Sequence, residues 1–192
     1  PDFTYILKNK EKIKALVVTH GHEDHIGAIP YLLRNIPVNV YGTHFTISLI
    51  EELLVINGMN VKDYRLYRIN DTKELTFGKV KVVFYNVNHS IPESAGIVLY
   101  TEDGAIVYTG DFVFDSSAKG NYKMDIGKLA YVGKQGVLCL LAESLYADKK
   151  GHTSPNNRVG DFIREVLSKN ENRIIATILP AHFYRIQEIF NE

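Results

Sequence analysis

Ala15-Leu16-Val17-Val18-Thr19-His20-Gly21-His22-Glu23-Asp24-His25-Ile26-Gly27 is the stretch that decides the fold. Its second half reads His-x-His-x-Asp-His. The apolar run before it is rich in β-branched residues and predicts a short buried strand over Lys14 to Thr19. Ile26-Gly27-Ala28-Ile29-Pro30-Tyr31-Leu32-Leu33 reads as a helix start, and a helix is expected over His25 to Asn35 with Pro30 in or near its first turn. Three histidines and an aspartate therefore fall on a strand-to-helix turn, which aims several side chains into one small volume. Imidazole and carboxylate suit zinc and its neighbours. His20 and His22 can share one ion, and Asp24 with His25 can face a second. Of the chain's 7 histidines, three fall within this one turn, so a merely polar turn is the weaker explanation.

Working outward, 192 residues suit one domain of ordinary size with a real core. The 45% hydrophobic and 23% charged content is that of a globular protein. A formal net charge of zero announces no global basic field, although a local patch remains compatible with it. The single cysteine, Cys139, lies in the apolar run Gly136 to Leu141 and is expected to be a core thiol. One cysteine allows no internal disulfide, which fits a reducing, cytoplasmic compartment. No apolar stretch approaches the roughly 20 residues that span a bilayer, and no signal peptide is visible. The chain starts at Pro1, so its N-terminus is expected to be a cut or a processing point.

Further along, Val38 to Tyr41 reads as a strand ended by Gly42. Thr43 is placed to cap a helix reaching about Asn57, with Ile47, Ile50, Leu53 and Leu54 on one face and Gly58 stopping it. His44 in its first turn reads as an exposed polar residue. Strands are expected over Tyr64–Ile69, Glu74–Phe77 and Lys79–Asn88. Two more, Ala95–Tyr100 and Ala105–Thr109, are joined by Thr101-Glu102-Asp103-Gly104, a hairpin signal. Gly120 to Gly136 reads as loop, and Val137 to Ala142 as another buried strand. Ser154-Pro155 opens a helix to about Lys169, Arg173 to Leu179 reads as a strand, and His182 to Phe190 as a helix. Lys149-Lys150 with His152 reads as a solvated loop rather than an RNA contact. Tyr184 and Arg185 read as helix surface rather than a base-stacking platform.

Strand ends thus deliver the histidine-rich turn, then His89, then Gly110-Asp111. His89 would be a third imidazole for the first ion. Asp111 would be a carboxylate able to bridge two ions, with Gly110 allowing close backbone approach.

These blocks resemble the metallo-β-lactamase superfamily, whose motif is His-x-His-x-Asp-His followed by a distant histidine and a bridging aspartate. Val17 to Gly27, Asn88-His89-Ser90-Ile91-Pro92-Glu93-Ser94-Ala95-Gly96-Ile97 and Thr109-Gly110-Asp111-Phe112 are similar to its β-CASP nuclease branch, and within it to the ribonuclease J family. Gly136 to Leu141 and Arg185-Ile186-Gln187 carry the same likeness. The resemblance implies an α/β (α+β) protein: a partial αββα sandwich over residues 1–148 and the beginning of an inserted β-CASP domain over 149–192. It implies a two-zinc hydrolase of RNA, 5′-to-3′ exonuclease and endonuclease, with manganese or magnesium as substitutes for zinc. His20, His22 and His89 would hold one ion, Asp24 and His25 the other, and Asp111 both. Asp24, His89 and Asp111 would be catalytic, and Ser90 would touch substrate phosphate. Partners would be RNA and, in the longer protein, a second copy or larger assembly, with no membrane.

The chain is much shorter than that family's enzymes. On the resemblance it lacks strands before Pro1, most of the β-CASP domain, one histidine of the second metal site, and the general acid. Glu143 stands where aspartate is usual, and Pro180-Ala181-His182 replaces a small polar stretch. The first site is expected to outlast the second. Two alternatives remain: another hydrolase of this fold acting on a thioester or lactone, and a non-catalytic RNA-binding fragment.

Overall fold

The computed structural model describes residues 2–115, 120–151, 159–179 and 182–192, and among them it is an αββα sandwich, alpha+beta in class and part of a larger domain. A short helix α1 (Thr4–Lys8) leads into β1 (Leu16–Val17), then α2 (Glu23–Ile26), α3 (Ile29–Leu33), β2 (Val40–Thr43), α4 (His44–Ile56) and β3 (Leu66–Ile69). Strands β1, β2 and β3 form a parallel sheet in that order, paired Leu16 with Val40 and Val40 with Leu66. The second sheet runs β4 (Glu74–Phe77), β5 (Val80–Asn86), β6 (Ala95–Thr101), β7 (Gly104–Tyr108) and β8 (Val137–Leu141). Its neighbours are antiparallel except β7 and β8. Helix α5 (Ile126–Gln135) precedes β8, and α6 (Val159–Lys169) and α7 (Phe183–Asn191) follow it.

The three apolar layers follow from strand alternation. Ile47, Ile50 and Leu54 of α4 are fully buried and close over Val18 and Val40 of the parallel sheet. Val82 and Phe84 on one face of β5 meet Ile69, Leu75 and Ile97, with Val17 and Tyr41 packed against them, which is the layer between the sheets. Val83, Tyr85 and Val87 point the other way, onto Met124, Leu129 and Val132 under α5.

Several sequence expectations change. The single helix over 25–35 is two short helices, because Pro30 lacks an N–H and its ring blocks the carbonyl four residues back; it sits instead in the first turn of α3. Thr43 is the N-cap residue of α4, but its hydroxyl meets the Thr46 hydroxyl at 2.9 Å. The Phe45 N–H donates instead to Glu93 Oε2 at 2.8 Å. Residues 126–135, expected as loop, are helix α5: Asp125 caps it by accepting from the Lys128 N–H at 2.9 Å, and Val132 and Leu129 pack inward. Strand β8 exists, but every residue in it is exposed, Cys139 included, so this is not a core thiol. It pairs with β7 alone, and among the described residues nothing covers its faces. Residues 173–179 form no strand among the described residues. The expected start of the helix after Ser154 lies outside the described residues, and α6 is described from Val159.

The hairpin, the exposed His44 and the helix at 183–191 are as expected. No helix among the described residues is long and apolar enough to cross a membrane.

Candidate metal centre

Thr19 is where the two sheets are joined at the rim. Its carbonyl accepts from the Ala95 N–H at 2.9 Å, tying the end of β1 to the start of β6. On its other side lies Gly110, held at φ +58°, where an added Cβ would sit 3.1 Å from Thr19 Cβ. Glycine suits both the positive φ and the close approach. Three chain segments therefore converge on one residue: the turn after β1, the loop before β6, and the turn after β7. Each carries candidate ligands.

His20 follows Thr19 and is completely buried. Its Nδ1 lies 3.0 Å from Thr19 Oγ1. With Nδ1–H donating to that oxygen, Nε2 presents a lone pair, and this buried Nε2 has no hydrogen-bond partner among the described residues. His22 is the N-cap of α2, whose carbonyl accepts from the His25 and Ile26 N–H groups. Its Nδ1 lies 3.0 Å from His89 Nε2, which arrives from the loop after β5. Asp111 Oδ2 stands 3.8 Å from His20 Nε2, 3.7 Å from His89 Nε2 and 3.4 Å from His25 Nε2. Asp24 Oδ2 is 3.6 Å from His25 Nε2.

Two groups of side chains could thus hold an ion. In His20, His22, His89 and Asp111, and again in Asp24, His25 and Asp111, one ligand atom per residue lies within 4.8 Å of all the others. The first donor set, three nitrogens and one carboxylate oxygen, suits a tetrahedral zinc-like cation. An orphaned buried ring nitrogen aimed at a carboxylate fits the same cation. Electrostatics agree. Burial pushes His20 down to about 2, helped by the rings of His25, His89 and His22. Burial, then His22, pushes His89 down to about 4. His22 is lowered as well, by burial and then His182. These rings are neutral at pH 7, which is the ligating form.

The sequence reading missed two residues here. Glu143, noted only as a departure from aspartate, accepts the Phe112 N–H on Oε2 at 2.9 Å, and its own N–H reaches Thr109 Oγ1 at 3.3 Å. It braces both sides of Asp111. Burial, with the Asp111 charge, raises its carboxyl above the usual range despite the Phe112 N–H. His182 caps α7 beside His22, ring centroids 5.9 Å apart. Neither residue lies in a recognisable ligand spacing. Ser90 follows His89 at this rim and is half-buried. His152, Pro180 and Ala181 lie outside the described residues.

The metallo-beta-lactamase superfamily matches this sequence over residues 3–137. Ribonuclease J 2 of Staphylococcus saprophyticus is 40% identical over 191 residues, 100% of this chain and 34% of that protein. Ribonuclease J 2 of Staphylococcus aureus MRSA252 is also 40% identical, with the same coverage. The chain spans about a third of the length of these relatives. A solved protein of unknown function from Enterococcus faecalis V583 superposes with a TM-score of 0.64 at 20% identity, over 93% of this chain and 44% of that one, a likeness of fold.

Proposed function

The chain belongs to the metallo-beta-lactamase superfamily, and from that membership we propose that it is part of a zinc-dependent ribonuclease. The enzyme would hydrolyse RNA phosphodiester bonds as a 5′-to-3′ exonuclease and an endonuclease, in RNA maturation and decay. One observation carries the reading: four ligand-type side chains from three separate strand ends meet within 4.8 Å, in a chain whose whole length matches ribonuclease J 2.

On this reading His20, His22 and His89 would hold the first ion, Asp24 and His25 the second, and Asp111 would serve both. A bound divalent pair, zinc or in its place manganese or magnesium, supplies Lewis acidity and a water of lowered pKa. The chain's own part is to keep three imidazoles neutral and aimed by burial, and to hold Asp111 between two backbone anchors. Ser90 would donate to a substrate phosphate. Residues 1–148 would be the lactamase core and 149–192 the start of a β-CASP domain. The longer protein would act in the cytoplasm as a homodimer or larger assembly on RNA.

The test is to incubate the full-length protein and its His89→Ala variant with end-labelled 5′-monophosphate RNA. Metal-dependent cleavage lost in the variant is expected. Undiminished cleavage by the variant would overturn the reading. Hydrolysis of a lactone or thioester with intact RNA would support the small-molecule alternative instead.

A further inference from the structure

We propose that His182 is a positioning residue for His22: its ring accepts the His22 Nε2–H, directly or through one water, and so fixes the ring whose Nδ1 faces the metal position. This rests on the reading of His22 as a ligand. His22 Nδ1 is committed to the rim centre, 3.0 Å from His89 Nε2. A neutral imidazole that ligates through Nδ1 carries its proton on Nε2. That Nε2 is buried and has no hydrogen-bond partner among the described residues. Metal-ligating histidines ordinarily donate this second N–H to an acceptor that sets their orientation.

His22 lines a cavity of about 860 Å³. Most of its lining is apolar, including Leu49, Leu53, Leu179 and Phe183. Its other polar side chains are Glu23, Asp24 and His182. Asp24 already faces His25, and Glu23 is exposed on α2. His182 remains, with its ring centroid 5.9 Å from that of His22 and tilted 45° to it, a spacing that admits a bridging water.

His182 is also held in place. Its carbonyl accepts from the Arg185 and Ile186 N–H groups, and its ring makes no capping bond. Phe183 packs edge-on to Phe45 at 5.3 Å, and Tyr184 to Tyr122 at 4.7 Å, so the first turn of α7 is clasped from both sides. Phe45 is the residue whose N–H binds Glu93, on the loop that carries His89. The element bearing His182 and the loop bearing a facing ligand thus share one anchor.

The experiment is a zinc titration against a chromophoric chelator on the full-length protein and its His182→Ala, His182→Gln, Glu23→Gln and His22→Ala variants, with melting temperatures of the metal-free proteins. His182→Ala should weaken the tighter zinc site roughly 10–100-fold, the usual scale for removing such a partner. His182→Gln, which keeps an acceptor, should recover most of that loss, and Glu23→Gln should match the parent. An unchanged affinity in His182→Ala overturns the proposal. So does a glutamine variant that restores the melting temperature yet binds zinc as weakly as the alanine variant. Tight zinc in His22→Ala would instead overturn the ligand reading beneath it.

Discussion

The two candidate ligand clusters share Asp111 and little else. In the first, His20 is wholly buried and His89 nearly so, at 15% side-chain exposure. Its ligands come from the three segments that meet at Thr19: the turn after β1, the loop before β6 and the turn after β7. In the second, the Asp24 side chain is 78% exposed at the start of a four-residue helix, and Asp111 is the only member from another element. The same residue types therefore make a preorganised cage on one side and an open ledge on the other. Burial keeps the imidazoles of the first set neutral and aimed, whereas Asp24 of the second stands open to water.

Removing the shared carboxylate should have the largest effect. Asp111→Ala should strip metal from both clusters by elemental analysis and cut RNA cleavage by roughly 10³-fold or more, the scale for one member of a cooperating catalytic set. Retention of one full equivalent would show that the cage stands without it. Next, zinc titration should resolve two affinities at least about tenfold apart, with Asp24→Ala erasing only the weaker. Equal affinities would end the contrast. A smaller effect comes from the wall that β5 and β6 build against α5. Any Cβ at Gly96 would overlap the ring of Tyr85, its pairing partner. Gly96→Ala should cost about 1–3 kcal/mol in denaturant unfolding, and should loosen the first cluster rather than the second. Smallest is an alkaline test of the same wall. Burial pushes the Tyr85 hydroxyl up to about 12. The unfolded chain ionises it first, near 10, so its contribution is complete below pH 10 and is lost as pH rises toward 12. Melting temperatures of the parent should therefore fall over that window more steeply than those of Tyr85→Phe.

The metal turn was legible because its residue types are rare together and their spacing is local. His89 and Asp111 were legible because the strands delivering them alternate and end cleanly. Helix α5 was hidden by Gly127 and Gly133, which dilute its apolar stripe; its existence depends on the Asp125 cap and on Val132 meeting β5, facts of packing rather than of period. The apolar run of β8 reads as buried because strands covered on both faces look alike in sequence, yet burial depends on neighbours and not on the run. Arg173 to Leu179 has strand composition with no described strand paired to it, and that composition alone does not make a ladder. Glu143 bonds to Phe112 and Thr109, and His182 lies beside His22, across long sequence separations that no local pattern announces.

The bond from Ala95 N to Thr19 O has a consequence in time. The first candidate ligand, His20, and the last, Asp111, are about 90 residues apart, and they meet only when that bond and the Gly110 contact join the sheets. At ribosomal speeds of about 5–20 residues per second, the histidine turn waits roughly 5–20 s for its carboxylate. During synthesis, then, the turn stands for that interval without the carboxylate common to both candidate clusters. Sheet docking, and not the histidine turn alone, therefore completes the four-residue donor set.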